Sequence, residues 1–263
     1  NFPYHAPDKW QLFKEYNQRD VEVEMAISQK LSSYSVPQSE WELYWMDQRI
    51  NDRGILIDQE LVDNAIKCDQ TFRQQYFAKS QKITGLDNPN SLLQLKTWLS
   101  EQGVQVDSLA KDAVADLVKT SSGQVKEMLT LRQLLAKSSI KKYRAMQNAM
   151  SNDHRVHGLL QFYGATRTGR WAGRLVQVQN LPRNSLPELQ AVRSLVKQGN
   201  FETLGLLYDS VPDVLSQLIR TAFIPKAGYS FYVADFSAVE ARVIAWLSGE
   251  TWRQEAFAQN KDI

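Results

Sequence analysis

The sequence predicts an α+β protein whose first half is helical and whose second half mixes strands, loops and helices. Apolar residues recur at helical spacing through most of residues 8–150, whereas the pattern from residue 156 alternates like a strand before a loop rich in glycine and arginine. The 263 residues are enough for two domains, and a composition of 43% apolar and 23% charged residues is typical of a soluble globular protein.

The N-terminal region predicts two helices separated by a linker. We expect Asp8 to cap a first helix that runs to Leu31. Residues 32–39 contain serines and a proline that break the helical pattern, so they are interpreted as a linker. A second helix is expected over residues 40–52, and Gly54 ends it as a C-terminal glycine.

The region that follows predicts a series of helices. Residues 55–57 form a short apolar connector, and Asp58 is expected to cap a long helix that ends near Gly85. Residues 88–91 start another helix. A further long helix is expected over residues 124–150, and it carries a group of basic side chains.

The pattern then changes to a mixture of elements. Residues 156–163 alternate and predict a strand, which the glycine- and arginine-rich loop follows. Helical pieces return over residues 186–222. An apolar run over residues 229–234 predicts a strand that ends at Asp235. A helix is expected directly afterwards, and its apolar face contains Val239, Val243, Ile244 and Leu247.

The composition excludes several classes of protein. No run approaches the roughly 18 apolar residues that span a bilayer, so we expect no membrane partner. Cys68 is the single cysteine, which excludes an internal disulfide and a zinc cluster built on cysteines. We expect an inert thiol that is buried or half-buried, and a cytoplasmic setting. Because the chain does not begin with Met, we expect a processed piece or an excised segment.

The net charge of +2 is small, but the charges are unevenly distributed. Residues 1–60 contain eleven acidic residues against six Lys or Arg. Residues 132–174 contain one acidic residue against nine basic ones, namely Arg132, Lys137, Lys141, Lys142, Arg144, Arg155, Arg167, Arg170 and Arg174. Such a block either meets phosphates or forms a solvated helix face, and composition alone favours neither.

Two stretches carry the most specific patterns. Residues 233–247 have the sequence Val-Ala-Asp-Phe-Ser-Ala-Val-Glu-Ala-Arg-Val-Ile-Ala-Trp-Leu, and residues 165–183 begin Ala-Thr-Arg-Thr-Gly-Arg-Trp-Ala-Gly-Arg. Together they resemble the family A DNA polymerases, and Gly-Arg-Trp-Ala-Gly-Arg is similar to the phage and prophage branch. The resemblance covers nearly the whole chain. It implies a predominantly helical thumb followed by the first half of a polymerase palm with a short antiparallel sheet.

The resemblance implies catalytic roles for the first stretch. By itself, an aspartate between a strand and a helix is more often a helix cap. The resemblance instead makes Asp235 a ligand of two Mg²⁺ ions, assisted by the backbone carbonyl of Phe236, and Mg²⁺ prefers such oxygen ligands. It makes Glu240 a steric gate against the 2′-hydroxyl of ribonucleotides, and Arg242 a support for the same surface.

The resemblance also implies contacts with primer-template DNA. Arg170, which follows Gly169, would reach minor-groove acceptors that all base pairs share. The other expected DNA contacts lie around the same loop and on the basic helix, at Thr168, Arg174, Gln179, Asn180, Lys137, Lys141, Lys142 and Arg144. Residues 176–180 are Val-Gln-Val-Gln-Asn, where many family members have Pro-Asn-Leu-Gln-Asn. We expect the core, rather than base stacking, for Trp41, Trp45 and Trp98.

The resemblance divides the chain into three regions. Tyr16 and Asp20 match the Tyr-x-x-x-Asp element of the 3′–5′ exonuclease attached to these polymerases, and their spacing puts them on one helix face. Residues 1–34 are therefore expected to be the C-terminal remnant of that exonuclease domain. Residues 35–152 would form the thumb, and residues 153–263 the N-terminal half of the palm.

The fingers and the second palm carboxylate of the family have no counterpart in this sequence. We therefore expect a piece of a DNA-directed DNA polymerase from a bacterial or phage-infected cell, truncated at both ends and inactive alone. Its parent would transfer nucleotides from dNTPs to a primer 3′-hydroxyl. The alternative is a non-catalytic half of a split polymerase, whose second polypeptide supplies the fingers and the remaining palm. A standalone nuclease built on Tyr16 and Asp20 is a third interpretation, against which the missing upstream carboxylates argue.

Overall fold

The computed structural model describes residues 3–259 and divides them into two compact units, residues 3–224 and residues 225–259. The described part of the first unit is mostly helical and contains two small antiparallel sheets, which confirms the α+β prediction. None of the helices within residues 3–259 is long and apolar enough to cross a membrane.

The elements of the first unit follow one another from helices to a mixed region, as predicted. Its helices are α1 (Pro7–Leu31), α2 (Gln38–Arg53), α3 (Gln59–Thr84), α4 (Leu92–Glu101), α5 (Lys111–Thr120), α6 (Gly123–Ala136), α7 (Ile140–Ala149), α8 (Leu189–Lys197), α9 (Phe201–Leu207) and α10 (Val211–Leu218). Its strands are β1 (Ile55–Ile57), β2 (Arg155–Val156), β3 (Leu160–Ala165), β4 (Arg170–Gly173) and β5 (Phe223–Ile224). The second unit contains α11 (Val239–Leu247) and α12 (Thr251–Ala258).

Local chemistry explains where several helices begin and end. The carboxylate of Asp58 accepts a hydrogen bond of 3.1 Å from the backbone N–H of Leu61 at the start of α3, as predicted. Gly54 ends α2, also as predicted. The expected cap at Asp8 is wrong, because α1 begins at Pro7 and Asp8 lies in its first turn. Proline is favoured there because the first N–H groups of a helix have no partner within it.

The prediction of a single helix over residues 124–150 is wrong, because the helix is interrupted between the end of α6 and the start of α7. The guanidinium of Arg73 donates hydrogen bonds to the backbone carbonyls of Leu135 (2.7 Å) and Lys137 (2.5 Å) at the end of α6. These carbonyls are therefore satisfied without a continuing helix. Helix α5 lies in a segment for which the sequence pattern predicted no element.

Residues 55–57, expected as a connector, form the central strand of the first sheet. β1 pairs antiparallel with β2, where Ile55 lies opposite Val156, and with β5, where Leu56 lies opposite Ile224. A run of three residues is too short to display an alternating pattern, so its strand character depends on partners that are distant in the sequence. This sheet joins the predicted thumb to the predicted palm, and the boundaries of the three regions stay predictions.

The second sheet is the hairpin of β3 and β4. Leu160 lies opposite Gly173, Ala165 lies opposite Arg170, and the register shifts between Gln161 and Ala165. The single strand predicted over residues 156–163 is therefore divided between β2 in the first sheet and β3 in the hairpin.

Two hydrophobic clusters stabilise the first unit. The larger one packs α3, α7, α8 and α10 against the first sheet, and the smaller one joins α4, α5 and α6. Tyr143 of α7 is fully buried in the larger cluster, where its hydroxyl donates a hydrogen bond of 2.7 Å to the carbonyl of Leu215. Full burial of a leucine-sized side chain contributes about 1.5–3 kcal/mol, so these clusters provide most of the driving force for folding.

Cys68 and Trp98 lie in the core, as predicted. Burial raises the pKa of the Cys68 thiol to about 12, which makes the reactive thiolate rare at neutral pH. The same prediction is wrong for Trp41 and Trp45, whose side chains are 43% and 47% exposed. Asp47, rather than one of the aromatic residues, is the buried residue of α2.

The strand predicted over residues 229–234 of the second unit is wrong, because this segment has no regular secondary structure. Tyr232 and Val233 are 96% and 93% exposed. A strand needs a neighbour that accepts and donates its backbone hydrogen bonds, and no described strand pairs with this segment. Helix α11 follows as predicted, with Ala245 as its buried residue, while its expected apolar face is exposed.

Candidate functional site

The turn between β3 and β4 presents Thr168 and Arg170 at the surface. The backbone N–H groups of Thr168 and Gly169 donate to the carbonyl of Ala165 at 3.0 Å and 2.9 Å, which closes the turn. Gly169 has a φ of +66°, and a Cβ added there would lie 2.9 Å from the ring of Tyr163. The turn therefore requires glycine, and it places the exposed Arg170 at the first position of β4.

A polar network that the sequence analysis missed holds this hairpin against α2. Asp47 is only 2% exposed, and its carboxylate accepts a hydrogen bond of 2.8 Å from the indole N–H of Trp171. Asn51, one turn later, donates to the carbonyl of Leu160 and accepts from its N–H, both at 3.0 Å. The spacing of Asp47 and Asn51 was visible in the sequence, but no local signal identified a partner 124 residues away.

The loop after β4 is held by the predicted DNA contact Lys142. Its Nζ donates a hydrogen bond of 2.7 Å to the carbonyl of Val176, whose side chain is fully buried. Leu175 and Gln177, on either side of Val176, have φ values of +53° and +54°. Left-handed backbone costs a residue other than glycine about 1–2 kcal/mol, so burial of Val176 and the bond from Lys142 stabilise a strained loop.

The other predicted contacts of this loop have exposed side chains, namely Arg174, Gln179 and Asn180. A Cβ added to Gly173 would lie 1.9 Å from Oε1 of Gln179. Gln179 therefore packs directly on the backbone at the end of β4, the strand that begins with Arg170. The absence of a side chain at Gly173 makes this contact possible.

The basic side chains of the predicted basic helix are of two kinds: some are exposed without a protein partner in the described part of the chain, and others bind protein groups. Lys141 and Arg144 of α7 are three residues apart and exposed, and within residues 3–259 neither side chain has a hydrogen-bonding or ionic partner. Nζ of Lys137, by contrast, lies 2.6 Å from Oδ1 of Asp213. Burial acts to raise the pKa of Asp213, but hydrogen bonds from Lys137 and Ser210 outweigh it and lower that pKa.

The second unit holds the predicted catalytic residues. Asp235 is exposed in the segment before α11, and Glu240 is exposed in the first turn of that helix, where the helix dipole favours a negative charge. Nε of Arg242 donates a hydrogen bond of 2.8 Å to the carbonyl of Ser237. The guanidinium of Arg242 also lies 4.5 Å from the ring centroid of Phe257 in α12. Arg242 thus fixes the turn that leads into α11.

Asp235 is not used as a helix cap. Helix α11 begins at Val239, and no side chain caps its N-terminus. No group of three or more His, Cys, Asp or Glu side chains within residues 3–259 is arranged to hold a metal ion. The donors at this position are the carboxylate of Asp235 and the carbonyl of Phe236. These oxygen donors suit Mg²⁺, which is commonly held by one or two carboxylates together with substrate phosphates and water.

Tyr16 and Asp20 of the predicted exonuclease element lie one turn apart on α1, and both side chains are exposed. Helix α1 buries none of its described residues. The roles predicted for Tyr16, Asp20 and the other candidate residues stay predictions, and the structure places those residues in two units. The DNA contacts belong to the first unit, and Asp235, Glu240 and Arg242 belong to the second.

Comparison with known proteins gives a family match. The family model described as DNA polymerase family A matches residues 65–263. A DNA polymerase of Bacillus phage SP02 is 55% identical over 258 residues, which are 98% of this chain and 40% of the phage protein. A thermostable DNA polymerase I of Thermus thermophilus is 43% identical over 49 residues, 19% of this chain and 6% of that protein. The chain thus spans 40% or less of the length of these relatives.

A solved structure supports the fold. The POL domain of Pol1 from M. smegmatis, in complex with DNA primer-template and dNTP, superposes with a TM-score of 0.57. The match has 18% sequence identity and covers 92% of this chain and 40% of the mycobacterial one. At this identity the similarity concerns the fold.

Proposed function

This chain belongs to DNA polymerase family A, and we propose that it is part of a DNA-directed DNA polymerase that transfers nucleotides from dNTPs to a primer 3′-hydroxyl. The observation that carries this proposal is the 55% identity to a phage DNA polymerase over 98% of the chain. The reaction of the parent protein needs residues of three kinds. One kind binds duplex DNA, the second holds Mg²⁺, and the third excludes ribonucleotides.

The β3–β4 hairpin is proposed to bind the primer-template in the minor groove. Arg170 is exposed at the start of β4, and Gln179 packs on the backbone at the end of the same strand. An arginine fork can reach the minor-groove acceptors that all base pairs share, which suits an enzyme that must not prefer one base. Thr168, Arg174 and Asn180 surround these two residues along the chain and add donors for the DNA backbone.

The exposed face of α7 is proposed to contact DNA phosphates. Lys141 and Arg144 lie on this face without protein partners among the described residues, so their charges are available to an anion. Lys137 and Lys142 were predicted to do the same. They would first have to leave Asp213 and the carbonyl of Val176, so we assign them mainly to the framework.

Asp235 and the carbonyl of Phe236 are proposed as the ligands that this chain contributes to Mg²⁺. When bound in such sites, Mg²⁺ orients the substrate phosphates and stabilises the charge that develops on them. The exposure of Asp235 and the absence of a capping role leave its carboxylate accessible to an ion and to a triphosphate. By holding the ion that binds the triphosphate, the Asp235 carboxylate would position the incoming nucleotide at the start of α11.

Glu240 is proposed as the gate against ribonucleotides, and Arg242 as its support. Arg242 binds the carbonyl of Ser237 and packs on Phe257, so it restrains the first turn of α11 in which Glu240 lies. A restrained side chain excludes a 2′-hydroxyl better than a mobile one. Tyr16 and Asp20 are proposed to belong to an exonuclease region and take no part in this step.

A non-catalytic half of a split polymerase is the second candidate. The exposed apolar segment around Tyr232 and Val233 favours it, because a strand-forming sequence without a pairing partner among the described residues suits assembly with another polypeptide. That polypeptide would supply the fingers and the remaining palm.

The proposal is tested with Asp235→Asn in a chimera that carries this chain in place of the matching segment of the SP02 polymerase. We expect primer extension with Mg²⁺ and four dNTPs to fall at least about a hundredfold, because an amide is a poor ligand for a hard cation. Affinity for primer-template should change less than about twofold, since the DNA contacts lie elsewhere. Extension at a tenth or more of the unsubstituted rate would contradict the role of Asp235.

The chain alone, measured in the same assay, tests whether it is active by itself. Tight binding of primer-template without extension fits both a piece of a polymerase and a split half. Extension that disappears with Asp235→Asn favours a polymerase active in this form. Failure of both the chain and the chimera to bind primer-template would contradict both.

A further inference from the structure

The geometry points to a positioning residue outside both quoted stretches: we propose that Asp47, through Trp171, fixes the face of the hairpin from which Arg170 meets DNA. The inference rests on the proposed function, because it concerns how the DNA contact of Arg170 is oriented. It adds a role for Asp47 of helix α2, a residue to which neither the sequence pattern nor the family resemblance assigned one.

The first step is the unusual environment of the Asp47 carboxylate. It is 2% exposed, and its partners are neutral N–H groups of Trp171 (2.8 Å), Asn51 (3.1 Å) and Gln48 (3.2 Å). No lysine or arginine within residues 3–259 forms an ion pair with it. Burial of a carboxylate is unfavourable unless it is hydrogen-bonded, so these three donors stabilise Asp47 at this position without a cation.

The second step is the direction that this carboxylate imposes on Trp171. The indole N–H is a donor only, and it donates to the Asp47 carboxylate, so the bond has one possible polarity. Successive side chains of a strand point to opposite faces. Because Trp171 directly follows Arg170 in β4, a Trp171 that faces α2 turns Arg170 to the opposite, outer face of the hairpin.

The third step is that the hairpin needs such a restraint. Its register shifts between Gln161 and Ala165, and a slip of one residue would exchange the two faces of the strand. Asn51 fixes the start of β3 through both backbone groups of Leu160, and it also donates to Asp47. The ring of Phe162 packs edge-on against Trp171 at 5.4 Å between centroids. One helix thus sets the position of both strands.

The first experiment measures the restraint without DNA. Asp47→Asn and Trp171→Phe are made in the full chain, and hydrogen exchange is followed in a peptide spanning residues 160–173. Trp171→Phe keeps an aromatic ring but removes the indole donor together with part of the ring volume. Glu42→Gln, the same carboxylate-to-amide change at an exposed position of α2, is the control. We expect exchange in this peptide to become about five- to tenfold faster in both variants and to stay unchanged in the control.

The second experiment is a double-mutant cycle on primer-template affinity, measured by fluorescence anisotropy of a labelled duplex. We expect Asp47→Asn to weaken binding about five- to tenfold when Arg170 is present, an effect of about one hydrogen bond. In the Arg170→Ala background the same substitution should weaken binding less than about twofold. A purely structural role of Asp47 would weaken binding by the same factor in both backgrounds.

Each outcome of the two experiments supports or overturns the positioning role of Asp47. Faster exchange together with coupling to Arg170 supports the positioning role. Unchanged exchange in both variants overturns it, as does an equal or absent loss of affinity in the two backgrounds. If Arg170→Ala leaves DNA affinity unchanged, the proposed contact of Arg170 fails and the positioning role fails with it. The exchange measurement would still report whether Asp47 restrains the hairpin, so the two failures are distinguishable.

Discussion

Single arginine side chains fix the backbone at two turns of this chain. Arg73 donates to two carbonyls at the end of α6, and Arg242 binds the carbonyl of Ser237 before α11. Guanidinium is suited to this task because it presents five donors in one rigid plane and always carries its charge. A lysine at either position would retain the charge but could not reproduce the planar set of donors.

Glu240→Ala in the SP02 chimera tests the gate at the scale of one side chain. We expect the ratio of kcat/KM for a ribonucleotide over its deoxynucleotide to rise about tenfold or more, because removal of the carboxylate opens space for a 2′-hydroxyl. Glu255→Ala, an exposed glutamate on α12, is the matched control and should leave the ratio unchanged. An unchanged ratio with Glu240→Ala would remove the gate role.

At the scale of elements, one buried carboxylate joins the start of α3 to α8. Asp58 caps α3 and forms ion pairs with Arg193 and with Lys197, the latter at 2.9 Å. Burial acts to raise the pKa of Asp58, but the hydrogen bonds from Lys197 and the Leu61 N–H, with the charge of Arg193, outweigh it and lower that pKa. Helix α8 is thereby held next to the central strand, which ends directly before Asp58.

The lowered pKa of Asp58 predicts how stability depends on pH. A lowered pKa in the folded state means that the stabilisation is complete above the unfolded-state value of about 4 and is lost as pH falls through the lower folded-state value. Asp58→Asn keeps an oxygen for the cap and removes the charge. We expect it to lower the free energy of unfolding by about 1–3 kcal/mol at pH 7, since hydrogen bonds to a charged group are lost.

Urea unfolding between pH 3 and pH 7 measures this prediction. The difference between the unsubstituted chain and Asp58→Asn should shrink at the acid end of the range. Asp116→Asn, which removes an exposed ion pair with Lys119, is the control and should change stability by less than about 1 kcal/mol. A difference that is independent of pH would contradict the assignment of the effect to ionised Asp58.

At the scale of the whole molecule, acidic and basic residues are concentrated in different parts of the chain, and the fold determines which basic side chains bind protein groups. The N-terminal 60 residues are acidic, and the block over residues 132–174 is basic. Within that block Lys137, Lys142 and Arg155 bind protein groups, whereas Lys141 and Arg144 have no such partners in the described part of the chain. The fold therefore reduces a long basic stretch to a smaller set of charges available to DNA.

Salt dependence tests how many of these charges meet phosphates. Each phosphate contact contributes about 0.9 to the slope of log K against log salt concentration on duplex DNA. We expect Lys141→Gln with Arg144→Gln to reduce the slope by about 2. Lys9→Gln with Lys14→Gln, exposed on α1, is the control for general loss of charge and should reduce it by much less. Equal slopes for both double variants would contradict the assignment of α7 to DNA binding.

The fold class and several element boundaries followed from the sequence because they depend on local patterns, whereas the candidate residues came from the resemblance to a polymerase family. The cap at Asp58, the end of α2 at Gly54 and the helical spacing of apolar residues each act within a few residues of the chain. The Thr-Gly-Arg turn is of the same kind, since its glycine is required by one local φ angle. Such features require no knowledge of which distant segments meet.

Only the tertiary structure decided the features that depend on distant partners. Residues 55–57 form a strand because they pair with two strands that are distant in the sequence. Residues 229–234 pair with no described strand and form no strand themselves. The break before α7 depends on Arg73 of another helix. The anchor between Asp47 and Trp171 joins residues 124 positions apart, and a hydrogen bond over that separation leaves no periodic trace in the sequence.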